Sequence, residues 1–205
     1  MGFAGFDLSK SSTGWCVWEK GWEKPVYGSV QLGSSFTSRG QTFIKLHTVM
    51  SDLHATLTPF EFLFMEAPIN HMMVNKGGAS NTTAENVRVA LGLAAHCESF
   101  GHAVGSRRIL EYTPESWRPS YIGRIESSAA KAEASRAKKA GDRKASARDT
   151  LKALTVARCR QLGLNPKNDD EADAIGILTY GILSSGEQPP WLTDEVLRAP
   201  LVATA

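Results

Sequence analysis

Four carboxylates in this chain of 205 residues stand where carboxylates are costly unless they act together. Asp7 closes the apolar run Phe3-Ala4-Gly5-Phe6, and Glu66 closes the run Phe62-Leu63-Phe64-Met65. Asp170 and Asp173 lie three residues apart at the start of a helical stretch, so they share one face. Acids in apolar segments carry a desolvation cost until a counter-charge neutralises them. Mg²⁺, with Mn²⁺ as a substitute, does this through oxygen ligands alone. Two such ions activate a water and stabilise the leaving oxygen in phosphodiester hydrolysis. The pattern therefore predicts a two-ion hydrolase, with Asp7 as the bridging ligand because a central strand is the most rigid platform. Taken singly, each acid has a plainer explanation as a turn residue, a cap or a partner of the helix dipole. Asn168 or Asp169 can serve as N-cap with Glu171 completing a capping box, and Asp169 competes with Asp170 as ligand.

Positioning these acids requires strands that end at Asp7 and Glu66 and a helix that begins near Asp170. Phe3 to Val17 reads as a strand, a polar turn and a second strand, and Val26 to Leu32 supplies a third with alternating character. Arg39 to Leu57 carries Phe43, Leu46, Val49, Met50 and Leu53 at helical spacing, and Pro59 ends it. Phe60 to Met65 is the apolar run expected of a strand covered on both faces. Thr83 to Ser99 predicts a helix with Val87, Leu91 and Ala94 inward, and Ala103 to Tyr112 a further strand. Ala147 to Leu162 and Asp169 to Leu183 predict two more helices, the last with Ile175, Leu178 and Ile182 inward. The expected architecture is one α/β domain over residues 1–185, a mixed sheet with its first three strands antiparallel, covered by helices. Residues 186–205 are expected to form a loosely packed tail.

The net charge of +2 hides an uneven distribution. From Arg124 to Lys167 there are twelve Lys or Arg against four acids, so the rest of the chain is acidic. Residues 124–146 form a basic insertion rich in Ala, Lys and Ser, either a mobile loop or a helix that orders on a partner. One basic segment on an otherwise acidic chain is the footprint of a polyanion, although a solvated helix face would have the same composition. Candidate phosphate contacts are Lys131, Arg136, Lys138, Lys139, Arg143, Lys144, Arg148 and Lys152, joined by Lys10, Lys76 and Arg118. Lys76 sits in a polar loop, Asn75 to Asn81, whose two glycines would let backbone approach a polyanion closely, or which is an ordinary surface loop. Cys16, Cys97 and Cys159 have no zinc-site spacing and are expected to be buried free thiols. The five histidines have no metal-ligand spacing either. No run approaches the roughly 18 apolar residues a bilayer needs, and a basic n-region is missing ahead of the first strand, so a cytoplasmic location is expected.

The residues Gly5-Phe6-Asp7-Leu8-Ser9-Lys10-Ser11-Ser12-Thr13-Gly14-Trp15 resemble the first-strand signature of the RuvC-like Holliday-junction resolvases. Phe62-Leu63-Phe64-Met65-Glu66 resembles the second acidic site of that family, and Asp170-Glu171-Ala172-Asp173-Ala174 its C-terminal helix motif. Tyr112-Thr113-Pro114-Glu115-Ser116-Trp117-Arg118, with Gly123, is similar to the Pro-x-x-Trp-Arg segment of the phage-encoded branch. The resemblance spans residues 3 to 183. It implies an RNase H-like fold, a homodimer without organic cofactor, and symmetric nicking of four-way DNA junctions with Mg²⁺ or Mn²⁺, in a bacterial cell or a phage-infected host. It also implies that Lys152, which matches a basic residue the family keeps near its active site, stabilises charge on the scissile phosphate. The chain departs from many relatives in carrying Leu8-Ser9-Lys10 where they have Pro-Gly-Ser. Ile69 stands where the cellular branch has an aromatic wedge; Met72 or Met73 is an alternative wedge, or part of the core.

Three rival functions share parts of this pattern. A broader RNase H-like nuclease, cutting flaps, branched replication intermediates or RNA–DNA hybrids, would use the same acids. A junction-binding protein that has lost cleavage would keep the fold, though all four acids are present. Actin-like ATPases also begin a phosphate loop with Asp-x-x-x-x-x-Thr-Gly, as Asp7 to Gly14 does, but need a second such loop and a second domain.

Overall fold

The computed structural model describes residues 1–68, 83–142 and 145–192. β1 (Gly2–Asp7) and β2 (Thr13–Glu19) pair antiparallel across the polar turn, setting Phe6 opposite Trp15 and Asp7 opposite Gly14. β3 (Val26–Val30) extends the meander antiparallel to β2. After α1 (Arg39–Thr56), β4 (Phe62–Glu66) returns on the other side of β1 and runs parallel to it, with Phe6 beside Met65. α2 (Ala84–Ala103) then leads to β5 (Arg108–Tyr112), parallel to β4. The sheet order is β3-β2-β1-β4-β5, so the strand ending at Asp7 is central as expected.

Strand alternation assigns the side chains to two layers. Ala4, Phe6, Val17, Leu63 and Met65 pack with α1 and α2. Phe3, Cys16, Trp18 and Phe64 face the opposite layer, built from α3 (Pro114–Ile122), α4 (Arg124–Lys139), α5 (Ala147–Gln161) and α6 (Asp169–Ser184). Asp7 follows the parity of Phe3, and Glu66 that of Phe62 and Phe64, so both acids leave the sheet toward α6.

Several sequence expectations shift. The inner stripe of α2 is Val89, Leu93, Ala94, Cys97 and Phe100, while Leu91 is 52% exposed. Ala94 fits either register at helical spacing, and the face that packs with α1 and the sheet is the one that also carries Cys97 and Phe100. α2 also runs on to Ala103 and ends in a turn through Gly105, so β5 begins only at Arg108. The basic insertion holds α4, a helix tied down by the buried Ser127 and Ala130. It starts at Gly123, whose φ of 106° is open to glycine at little cost. The first part of the tail is packed too: Trp191 and Leu192, in a short 3₁₀ turn, are buried. The Trp191 ring meets Trp18 edge-on at 5.6 Å, and its N–H donates to Thr179 Oγ1 at 3.2 Å. Among the described residues no helix is long and apolar enough to cross a membrane.

Candidate functional site

The parallel register that sets Phe6 beside Met65 brings the ends of β1 and β4 level, so Asp7 and Glu66 are neighbours on one face. The start of α6 closes over them. Asn168 caps that helix by accepting the Glu171 N–H at 2.9 Å. Glu171, 3% exposed, accepts from Lys167 N at 2.8 Å and from Ser29 Oγ at 3.0 Å, which ties the helix start to β3. Its carboxylate is thus committed to holding α6 rather than to the acid cluster. Gly14 makes the approach feasible: a Cβ there would lie 1.9 Å from the Asp170 carbonyl oxygen. Helical spacing then turns Asp170 and Asp173 toward the strand ends.

The result is a cluster of acids in mutual repulsion. Burial raises the Asp7 carboxyl well above the usual aspartate value, and the charges of Glu66, Asp173 and Asp170 push it further. Burial also lifts Glu66 from 4.5 to about 7, although Arg118 and the Trp117 N–H pull it down. Asp173 is raised by burial against the opposing pull of Arg118. The charge of Asp170 acts on Asp7, and that of Asp169 on Asp173.

Two cations are built into this cluster. Arg118 Nη2 donates to Asp173 Oδ2 at 2.7 Å and lies 4.0 Å from Glu66 Oε2. The Lys152 ammonium donates to Asp169 and lies 3.9 Å from Asp170. Burial disfavours the charged Lys152, but the hydrogen bond and charge of Asp169, with Asp173 and Asp170, leave its pKa raised. Burial would raise Asp169, yet its bond to Lys152 leaves it below the ordinary value. Trp117, fully buried, donates its indole N–H to Glu66 Oε2 at 3.0 Å.

The structure thus brings Asp7, Glu66, Asp170, Asp173 and Lys152 together. Arg118, expected as a surface contact to DNA, is instead 9% exposed and paired inside the cluster, because α3 docks on α6. Lys131, Arg136, Lys138 and Lys139 are exposed on α4, and Arg148 at the start of α5. Lys10 is half-buried and donates to the Thr37 carbonyl at 2.7 Å, which ties it to the loop before α1. Lys76, Arg143, Lys144, the loop Asn75 to Asn81 and the wedge candidates Ile69, Met72 and Met73 lie outside the described residues. Trp117 was visible in the sequence only as part of the Trp-Arg motif. Its role required knowing that β5, which ends at Tyr112 beside Glu66, hands the chain directly to α3. Cys16, Cys97 and Cys159 are buried free thiols, as expected.

Solved structures with this architecture include Thermus thermophilus RuvC, at 21% identity and TM-score 0.54, covering 93% of this chain and 99% of that one. A second is T. thermophilus RuvC in complex with a Holliday junction substrate, at 14% identity and TM-score 0.56, covering 91% and 96%. The fold is RuvC-like. No family model and no curated protein matches the sequence. The RuvC-like neighbours bear on the architecture; neither supports the phage-encoded branch over the cellular one.

The donors of the cluster fit a hard divalent cation. All are carboxylate oxygens, and Asp173 Oδ1 is buried without a hydrogen-bond partner. Among the described residues no three acidic, His or Cys side chains already converge as a closed ligand set.

Proposed function

We propose that this chain is a divalent-cation-dependent endonuclease that resolves four-way DNA junctions by paired, symmetric nicks. The observation that carries the proposal is a half-buried Asp7 hemmed in by Glu66, Asp170 and Asp173, on a fold shared with a RuvC solved on a Holliday junction substrate. Asp7, Glu66, Asp170 and Asp173 are the ligands, sufficient for two Mg²⁺ or Mn²⁺ ions. Such ions supply Lewis acidity and neutralise charge at the phosphodiester. Asp7, on the rigid central strand, would be the ligand they share. Lys152 is freed from Asp169 when a phosphate arrives and stabilises its developing charge.

Lys131, Arg136, Lys138, Lys139 and Arg148 are the phosphate contacts that suit this reading, with Lys10, Lys76, Arg143 and Lys144 as further candidates. Two symmetric nicks need two such sites, hence a homodimer. The Trp117-Arg118 motif supports the phage-encoded branch.

The test incubates the purified protein, with Mg²⁺, with a labelled four-way junction, linear duplex, a flap and an RNA–DNA hybrid. Asp7→Asn runs beside it. Paired nicks on the junction alone, lost by about 10³-fold or more in Asp7→Asn while binding persists, are expected. Comparable cutting of flaps or hybrids would point to the broader nuclease, and binding without cleavage in either Mg²⁺ or Mn²⁺ to a junction-binding protein.

A further inference from the structure

Trp117 and Arg118 are consecutive residues that address two different acids. The Trp117 indole donates to Glu66 Oε2 at 3.0 Å, and Arg118 donates to Asp173 Oδ2 at 2.7 Å. The guanidinium lies over the Trp117 ring at 4.5 Å, a cation–π contact strengthened by burial. The ring is itself wedged against Gly176, one turn after Asp173 on α6, where a Cβ would fall 2.5 Å from it. It therefore cannot tilt without moving α6. Each acid is held through one oxygen, and Asp173 Oδ1 is left buried and unpartnered.

We propose that Trp117 and Arg118 act as a positioning pair: they fix the separation of Glu66 and Asp173 through one oxygen of each and leave the other oxygen for a divalent cation. This rests on the reading of the four acids as a cation site. Filling the space beside Gly176 explains an aromatic ring but not an indole, since a phenyl ring would pack there as well. What Trp117 adds is a single N–H. Packing likewise does not explain Arg118, whose Nη2 holds Asp173 and approaches Glu66 while the planar guanidinium lies on the indole.

The test measures Mn²⁺ binding to the full chain without DNA, by loss of the free-ion paramagnetic resonance signal, for wild type, Trp117→Phe and Arg118→Lys. Partners that orient metal ligands change affinity by about 10- to 100-fold, so Trp117→Phe is expected to weaken Mn²⁺ binding about tenfold. Far-UV circular dichroism should show it folded. Arg118→Lys keeps the charge but not the planar guanidinium that reaches Asp173 while lying on the indole, and is expected to weaken binding as well. On a four-way junction, Trp117→Phe should lose kcat with KM unchanged, and added Mn²⁺ should restore the rate. A role in packing alone would leave Mn²⁺ affinity untouched. Wild-type affinity in a folded Trp117→Phe overturns the proposal, as does wild-type affinity in Arg118→Lys should the first variant not fold. A wild type that binds Mn²⁺ in this variant-sensitive way but cuts no junction overturns the junction-resolving function and supports the pair. A wild type that takes up no Mn²⁺ overturns both.

Discussion

Glu66 is held near half-protonation at neutral pH, because burial outweighs the cation and the indole beside it. A carboxyl whose folded pKa exceeds its unfolded value binds more protons in the native state, so stability falls as pH rises between the two values. For Glu66 the window runs from 4.5 to about 7, and the loss is on the order of 3 kcal/mol. Asp7 and Asp173, also raised, act in the same direction. Asp169, lowered by Lys152, contributes only below the ordinary aspartate range. His96, held below 6.5 by burial, opposes the trend in part of the window. The melting temperature in EDTA should therefore fall between pH 5 and pH 7.5. Excess Mg²⁺ should flatten the fall, and Glu66→Gln should reduce it in EDTA. A metal-free protein that grows more stable over this range would contradict the raised carboxyls.

The approach of α6 to the sheet depends on side chains that are not there. At Gly14 any Cβ would strike the backbone of Asp170, which has no rotamer to yield. Gly14→Val should cost about 1–3 kcal/mol or more by overpacking, and should also lift Asp170 and Asp173 away from Asp7. Gly40, in the exposed first turn of α1 with nothing near, is the matched control, and Gly40→Ala should gain up to about 1 kcal/mol. Urea denaturation of both variants separates the outcomes. The same elements show what the sequence can and cannot reveal. The two acids were legible because each closes an apolar run, but their shared face was not, since it depends on β4 pairing parallel to β1 with Phe6 beside Met65. The apolar positions of α6 were equally plain. Pairing partners were not: nothing local to Arg118 says that α3 packs on α6, and its charge alone suggested a surface contact. α4 was obscure because alanine and serine can fill a shallow interface that a hydrophobicity pattern does not register.

Across the whole molecule, charge is divided rather than balanced. Lys131 and Lys138 lie seven residues apart on α4 and so share a face, with Arg136 and Lys139 close by. In the proposed complex they neutralise phosphates, and each such contact contributes a slope of about −0.9 to the dependence of log affinity on log salt. Replacing all four by Ala should weaken junction binding in Ca²⁺ at low salt and reduce that slope by about 3–4. Thermal stability should barely change, since the four side chains are exposed. An unaltered slope would remove α4 from the binding surface.

Asp7 and Glu66 share a parity as well as a place. One residue inserted into β4 ahead of Glu66 would rotate that carboxylate into the layer of Leu46, Met50 and Leu93, where no cation waits, and would present Met65 to Asp7 instead. Two inserted residues would restore its facing but carry it past the end of β1. Descent of this chain should therefore tolerate changes of length in its turns and helices far more readily than a single codon gained or lost between Phe62 and Glu66.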